Sequence, residues 1–277
     1  MIYHITSQTE WDQALNSGGY TPTSSSEDGF IHCSDIYLVE GVANRFYKDL
    51  EDLIVLEIDP ERTSIPLVYE NLEGGTTLFP HLYGSPLPVE SVTATFALDC
   101  DDQGNLRLPA FMKRPKPPLF TLLPFNQPGK VYRSVMPGSF LFDPTDQVMS
   151  LYQQAGIQSV VVLNPKEDLE KFAQEDPLLR YRSVGINIIH APVADFSAPA
   201  HGAWNKDLAY VENLIRSGET IAIHCHAGIG RTGMFVACLA QDLLGLSPQE
   251  SIEWVRQHIP TAIETDYQKQ FVLRYRQ

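Results

Sequence analysis

Residues 221–233 read IAIHCHAGIGRTG, and this stretch can be parsed in three ways. His224, Cys225 and His226 are all metal-ligating residue types. Gly228 to Gly233 spells a formal G-x-G-x-x-G, the dinucleotide-binding pattern. Cys225 followed six residues later by Arg231 spells a thiolate nucleophile set in an anion-binding loop. The metal parsing fails on geometry, because neighbouring strand residues point to opposite faces and His224 and Cys225 do not easily share an ion. His224 and His226 could share one, but no second ligand cluster follows, so no metal is expected. The dinucleotide parsing needs an acidic residue about 20 positions on, at the end of the next strand. Two helices follow instead, with Asp242 inside the first, so no dinucleotide is expected there and no cofactor is assigned.

The thiolate parsing accounts for every position. IAIHC reads as a strand that delivers Cys225 to its C-terminal end. His226, Ala227, Gly228, Ile229 and Gly230 form a tight loop whose backbone N–H groups can turn inward around an anion. RTGMFVACLA then opens a helix, whose N-terminus favours negative charge. A thiolate in such a place is stabilised and nucleophilic. Arg231 closes the loop with a planar fork matched to two phosphate oxygens. Thr232 sets a hydroxyl near the sulfur, and His224 reads as a hydrogen-bonded structural histidine. The bland alternatives are a buried cysteine in an ordinary strand-to-helix turn and a phosphate-binding fold without activity.

HCHAGIGRTG resembles the signature of the cysteine-dependent protein phosphatases, H-C-x5-R-[ST]-G. The resemblance covers about residues 118–277, and VYRSVMPG (131–138) resembles the opening of the dual-specificity branch. It implies hydrolysis through a cysteinyl-phosphate intermediate, and a general acid. Asp195 lies 30 residues before Cys225 in the proline-bounded loop APVADFSAPA, where the family carries its acid. IETDYQKQF (263–271) resembles the family's glutamine loop: Gln268 matches one glutamine, and Glu264 stands where tyrosine-specific members often have another. Glu167, Asp168 and Glu170 read as a solvated face. The loop carries no lysine, which argues against a highly charged lipid headgroup. A phosphoprotein or small phosphomonoester is the expected substrate, with RNA or nucleotide 5'-phosphate chemistry as an alternative.

Around this segment the chain alternates strand and helix, which implies a mostly parallel sheet flanked by helices. Expected strands are SVVVLN, INIIHAPV and TIAIHC. Expected helices are PTDQVMSLYQQAG, AWNKDLAYVENLIRSG, RTGMFVACLAQDLLG, SPQESIEWVRQHI with a capping box at Ser247 and Glu250, and 266–276. Upstream lies LPAFMKRPKPPLFTLLPFNQPG (108–129), with six prolines, which reads as a semi-rigid linker. The expected organisation is two domains, residues 1–110 and 129–277, with a linker at 111–128 and a boundary near residue 115.

The 277 residues are 43% hydrophobic and 19% charged, with a net charge of −14. Residues 1–118 carry 7 Lys and Arg against 18 Asp and Glu, and residues 119–277 carry 13 against 16. Such acidity argues against DNA as a partner. The longest apolar run near the loop, 234–240, is far short of a membrane span. Four irregularly spaced cysteines and no evident signal segment suggest a cytoplasmic protein.

The first half reads as α+β. IYHIT, FIHCS, LIVLEID, PLVYE and SVTATFALD are expected strands, with turns such as 71–75 between them. Ser7 and Glu10 suggest a capping box opening a helix through Asn16, and DIYLVEGVANRFYKDL reads as an amphipathic helix. IYHITSQTEWDQALNSGGYTP, GFIHCS and FPHLYG together resemble a small, mostly bacterial family of domains similar in fold to the ADP-ribosyltransferases. The resemblance implies a nucleotide or ADP-ribose-like ligand gripped by histidine, aromatic and acidic groups. By position, His4, Tyr20, His32, Glu70, His81 and Tyr83 are the candidates; a core histidine and loop aromatics are the bland alternative.

Overall fold

The computed structural model describes residues 1–277 apart from 24, 49, 73, 75, 76, 114, 115 and 277. The chain divides into two compact units, Met1–Lys116 and Pro117–Gln277. The boundary expected at residue 115 and the far end of the turn expected at 71–75 lie outside the described residues.

In the first unit, β1 (Ile2–Ser7) leads into α1 (Gln8–Ser17). The Ser7 side chain accepts from the Glu10 N–H at 3.1 Å. The expected capping box is only half made, because the Glu10 carboxylate instead accepts from Thr6 and Thr23 at 2.7 and 2.8 Å. Of FIHCS, only β2 (Ile31–His32) is a regular strand, and Ser34 makes an isolated antiparallel bridge to Tyr3. The helix expected over 35–50 contracts to α2 (Val39–Phe46). Then come β3 (Leu53–Ile58), β4 (Leu67–Glu70), β5 (Phe79–Leu82) and β6 (Val92–Ala97).

They form two antiparallel three-stranded sheets, β1-β3-β6 and β2-β5-β4. The LIVLEI run of β3 is nearly continuous in apolar residues because both its faces are covered. Ile54, Leu56 and Ile58 share one core with Trp11 and Ala14 of α1. Leu53 and Val55 share another with Val39 and Ala43 of α2.

The second unit holds β7 (Phe120–Leu123), β8 (Val131–Ser134), α3 (Val148–Ala155), β9 (Ser159–Val162), α4 (Lys166–Phe172), α5 (Pro177–Ser183) and β10 (Asn187–His190). It continues with α6 (Asn205–Arg216), β11 (Ile221–His224), α7 (Gly230–Leu244), α8 (Pro248–His258) and α9 (Asp266–Arg274).

Strand order is β7-β8-β11-β9-β10. The sheet is mixed: β8, β11, β9 and β10 run parallel, and β7 pairs antiparallel on the edge. β7 falls within the stretch expected as linker. Its four residues FTLL contain no proline, and Pro118 and Pro124 flank it, as an edge strand tolerates. α4 and α5 have seven residues each, too short to show a helical stripe in the sequence.

Thirteen of the fifteen residues of α7 are buried. A helix apolar on all sides belongs at the centre of a domain, and here it packs behind β11 with Ile221, Ile223, Phe235 and Leu239 in one core. Truncating Phe235 to Ala there costs about 3–5 kcal/mol.

Candidate active site

Cys225 is the first residue past β11, and α7 begins at Gly230. The turn between them is fixed from below by the neighbouring parallel strands: the Met136 N–H donates to the His226 carbonyl, and the Leu163 N–H to the His224 carbonyl, both at 3.0 Å. Gly228 has φ +68, and a Cβ there would run into the Ser134 carbonyl oxygen. A Cβ on Gly230 would strike the Glu264 carboxylate. Only glycine lets the loop lie this close to its surroundings. No side chain caps the N-terminus of α7, so its first N–H groups remain for the loop and what it holds.

Arg231 is 1% exposed. Its Nη1 donates to Asp168 Oδ2 at 2.7 Å and to the Val193 carbonyl at 3.2 Å, and its Nη2 pairs with Asp195 Oδ1 at 3.1 Å. Its Nε makes no hydrogen bond, and neither do the buried Thr232 Oγ1 and Gln268 Nε2. Burial works against the Arg231 charge, but Asp195, Cys225 and Asp168 outweigh it and raise its pKa. Asp168 is therefore no solvated residue: tertiary structure brings α4 over the loop. Nothing in KEDLEKF distinguishes it from Glu167 or Glu170.

Asp195 lies half exposed after β10. Phe196, next to it, has φ +56, a left-handed conformation unusual outside glycine. Its carbonyl accepts from the Thr265 hydroxyl at 2.9 Å, which ties the Asp195 loop to the 263–271 segment. In that segment the fully buried Gln268 accepts from the Glu264 N–H at 2.8 Å.

The two histidines flanking Cys225 are neutral and structural in their contacts. The His224 Nδ1 faces the Cys225 carbonyl at 3.2 Å, which can only accept, so Nδ1 holds the proton. Nε2 then accepts from Tyr181 O–H at 2.7 Å. Burial pushes its pKa down to about 4. His226 stacks on Phe172 at 4.5 Å and bonds Ser139 Oγ at 3.1 Å. Burial first, and Arg231 second, lower its pKa to about 3. Ala227 and Ile229 complete the loop with apolar side chains, so Arg231 is its one cation. Among the described residues, no group of three His, Cys, Asp or Glu side chains could hold a metal.

The six candidates of the first unit separate into two sets. His4 and Tyr20 are buried and satisfy each other at 2.7 Å. The His32 carbonyl accepts from His4 Nδ1 at 2.6 Å, so Nε2 accepts the tyrosine proton. Burial lowers the His4 pKa to about 4. His32, Glu70, His81 and Tyr83 form a second set around the buried Phe30, whose ring lies 4.4–5.1 Å from both imidazoles and from Tyr83; His32 and Tyr83 are exposed, whereas His81 is buried. Glu70 Oε1 accepts from His81 Nδ1 at 3.1 Å and from Tyr83 O–H at 2.5 Å.

Residues 140–242 match the family model described as "Polymorphic toxin system, DSP-PTPase phosphatase", and residues 5–95 match "Protein of unknown function (DUF952)". Cyclin-dependent kinase inhibitor 3 of Rattus norvegicus is 30% identical over 105 residues, 38% of this chain and 50% of that protein. Tyrosine-protein phosphatase cdc-14 of Caenorhabditis elegans is 26% identical over 137 residues, 47% of this chain and 18% of that one. The chain thus spans half or less of the length of these relatives. Among solved structures, a kinase associated phosphatase with its catalytic cysteine replaced by serine shares the fold, with TM-score 0.52, 22% identity and coverage of 59% of this chain and 96% of that one. No helix among the described residues is long and apolar enough to cross a membrane. The C-terminal unit is thus similar over residues 140–242 to phosphatases of the dual-specificity and tyrosine kind, and the N-terminal unit matches the DUF952 family over residues 5–95.

Proposed function

We propose that the chain hydrolyses phosphomonoesters, with protein phosphotyrosine, and phosphoserine or phosphothreonine beside it, as the substrate class. The Cys225 sulfur attacks phosphorus, and the ester oxygen leaves with a proton from Asp195. Water then attacks the cysteinyl phosphate, oriented by Gln268 and returning its proton to Asp195, and Thr232 stabilises the departing thiolate. Arg231 and the backbone N–H groups of 226–231 hold the phosphoryl oxygens throughout.

One observation carries this reading. Arg231 Nε and Thr232 Oγ1 in the first turn of α7, and Gln268 Nε2 against Gly230, are buried and have no partner, although buried polar groups are almost always satisfied. A bound phosphoryl group would satisfy such donors. Asp168 holds the far side of the guanidinium and leaves its Nε edge for the ligand. Asp195 must release Arg231 to act as an acid, and its half-exposed loop gives it that freedom. We assign the chain to the cytoplasm on its four free cysteines, Cys100 among them exposed.

The test is hydrolysis of para-nitrophenyl phosphate with vanadate as inhibitor, by wild type and Cys225→Ser. Vanadate-sensitive turnover that disappears in the serine variant is expected. Binding of phosphate without turnover would make the domain an inactive phospho-ligand reader.

For the N-terminal unit we propose a small-ligand site at the surface set, His32, Glu70, His81 and Tyr83, for a nucleotide or ADP-ribose-like molecule. It is supported by the exposed His32 and Tyr83 rings set against the buried Phe30, with Glu70 hydrogen-bonded to Tyr83 and the buried His81. Calorimetry against NAD, ADP-ribose and simple nucleotides tests it, with binding expected to weaken in His32→Ala. We also propose that the two units, Met1–Lys116 and Pro117–Gln277, fold separately, because β7 (Phe120–Leu123), within the 111–128 stretch read as linker, pairs with β8 of the second unit.

A further inference from the structure

Val131 and Arg133 of β8 pair across the sheet with Ile221 and Ile223 of β11, so the four share one face, and alternation continues that face to Cys225. Val131, Ile221, Ile223 and Cys225 belong to the apolar core under α7. Arg133 is thus a guanidinium on an apolar face, 1% exposed. Its Nε and Nη1 have no hydrogen-bond partner. Nη1 lies directly against the loop, since a Cβ on Gly228 would come within 2.9 Å of it. A buried, unpaired charge is strongly destabilising. Burial lowers the Arg133 pKa to about 10, and Cys225 is the ionisable neighbour that favours its charge.

The charges around the loop suggest what this residue does. Arg231 faces two carboxylates, Asp168 and Asp195, and the loop's own histidine is neutral. With Arg231 alone, the site would be net negative where an anion must bind. We propose that Arg133 is the second guanidinium of the phosphate site: a positioning residue that supports the loop at Gly228 and holds the Cys225 sulfur and a bound phosphoryl group in positive potential. This rests on the phosphatase reading above.

The test uses the full-length chain with Arg133→Met and Arg133→Lys. Cys225 is alkylated at one pH by anionic iodoacetate and by neutral iodoacetamide, read by mass spectrometry of its peptide. The exposed Cys100 serves as internal reference. In Arg133→Met the iodoacetate-to-iodoacetamide ratio at Cys225 should fall by about tenfold while the ratio at Cys100 stays fixed, and Arg133→Lys should keep most of it. The kcat/KM on para-nitrophenyl phosphate should fall by about 10²-fold, as for loss of one preorganised donor. The melting temperature of Arg133→Met should hold or rise, because an apolar side chain replaces an unpaired charge. A merely structural arginine would lower stability and leave the ratio unmoved.

An unchanged ratio at Cys225 in folded Arg133→Met overturns the proposal, as does an Arg133→Lys variant no better than Arg133→Met. Should Arg133→Met unfold, the ratio in Arg133→Lys and Arg133→Gln decides in the same way. If wild type hydrolyses no phosphomonoester while the ratio still falls, the phosphatase reading fails and the electrostatic role of Arg133 stands.

Discussion

His4 within β1 of the first unit and Arg231 in the first turn of α7 in the second are both buried polar residues, and they are treated in opposite ways. His4 is fully satisfied, by the His32 carbonyl on one nitrogen and Tyr20 on the other. Along the 226–232 segment, by contrast, Arg231 Nε, Thr232 Oγ1, Gln268 Nε2 and two nitrogens of Arg133 are left without partners. A satisfied buried network adds to fold stability, whereas an unsatisfied one reduces it and is retained where a ligand completes it. On the proposed phosphatase reading, the difference separates residues that build the fold from residues held ready for chemistry, although both look alike as histidine, tyrosine and arginine in a sequence.

The largest effects should come from the unsatisfied set. Cys225→Ser should lower turnover of an aryl phosphate by at least about 10⁴-fold, because a hydroxyl is not ionised at neutral pH, while circular dichroism stays native. Arg231→Lys should lose about 10²- to 10³-fold, since an ammonium has no planar fork to share between Asp168 and a phosphate. Near-normal turnover in either variant breaks the contrast.

Asp195→Ala comes next, with kcat about 10²- to 10⁴-fold lower, and the loss should shrink with good leaving groups, which need little protonation. Asp168→Asn should show a different pattern. It leaves the acid in place but loosens the guanidinium, so KM for phosphate esters and the vanadate inhibition constant should rise about tenfold, whatever the leaving group. A leaving-group dependence in Asp168→Asn would make it, rather than Asp195, the acid.

The strand, loop and helix around Cys225 were legible because the pattern is local. Five strand residues, a glycine-rich turn and an apolar helix are contiguous, and β11 and α7 fall where they were expected. The Ser247 cap was legible for the same reason, and its capping box is complete. What sequence could not give is set by tertiary contact. Asp168 reaches Arg231 across 63 residues, and nothing local distinguishes it in a charged helix. β7 was hidden because the prolines around it dominate the reading, yet the strand itself contains none. Whether His4 meets solvent or the core depends on which face of β1 packs on α1, and the covering of both faces removes the alternation that would have said so.

A pH titration compares the two units at smaller amplitude. His4 in the first unit and His224 and His226 in the second have pKa values lowered by burial, to about 4, 4 and 3. Each is neutral when folded, and an unfolded histidine titrates near 6.5. Below that pH the unfolded state binds more protons, so this stability is fully present above about pH 6.5 and is lost as pH falls towards 4. At pH 5 each buried histidine accounts for roughly 2 kcal/mol of loss. The buried His81 and the half-buried His258 shift the same way, one in each unit. Acidification from pH 7 to 5 should therefore destabilise the C-terminal unit by roughly 4 kcal/mol and the N-terminal unit by about half that, read from urea midpoints with probes in each. His226→Phe should narrow the gap, and equal losses in both units would contradict the burial of the loop histidines.

The smallest effect lies within the first unit, where two tyrosine hydroxyls can be compared. Tyr20→Phe removes the donor to His4 Nε2 and leaves that nitrogen buried without a partner. The loss should be about 1–3 kcal/mol of stability, the cost of an unsatisfied buried acceptor. Tyr83→Phe removes a donor to Glu70 from a ring that is 37% exposed, where water replaces it, and the change should stay within about 0.5 kcal/mol. The same two variants should behave in reverse towards a ligand. Tyr83→Phe should weaken any binding to the surface set around Phe30, since its hydroxyl meets solvent there. Tyr20→Phe should leave binding unchanged once the loss of fold stability is corrected for. Urea denaturation of both variants measures the first half of this exchange and calorimetry the second. A Tyr20→Phe protein that folds as stably as wild type but loses ligand affinity would show that the His4–Tyr20 pair, and not the surface set, is the binding group of this unit.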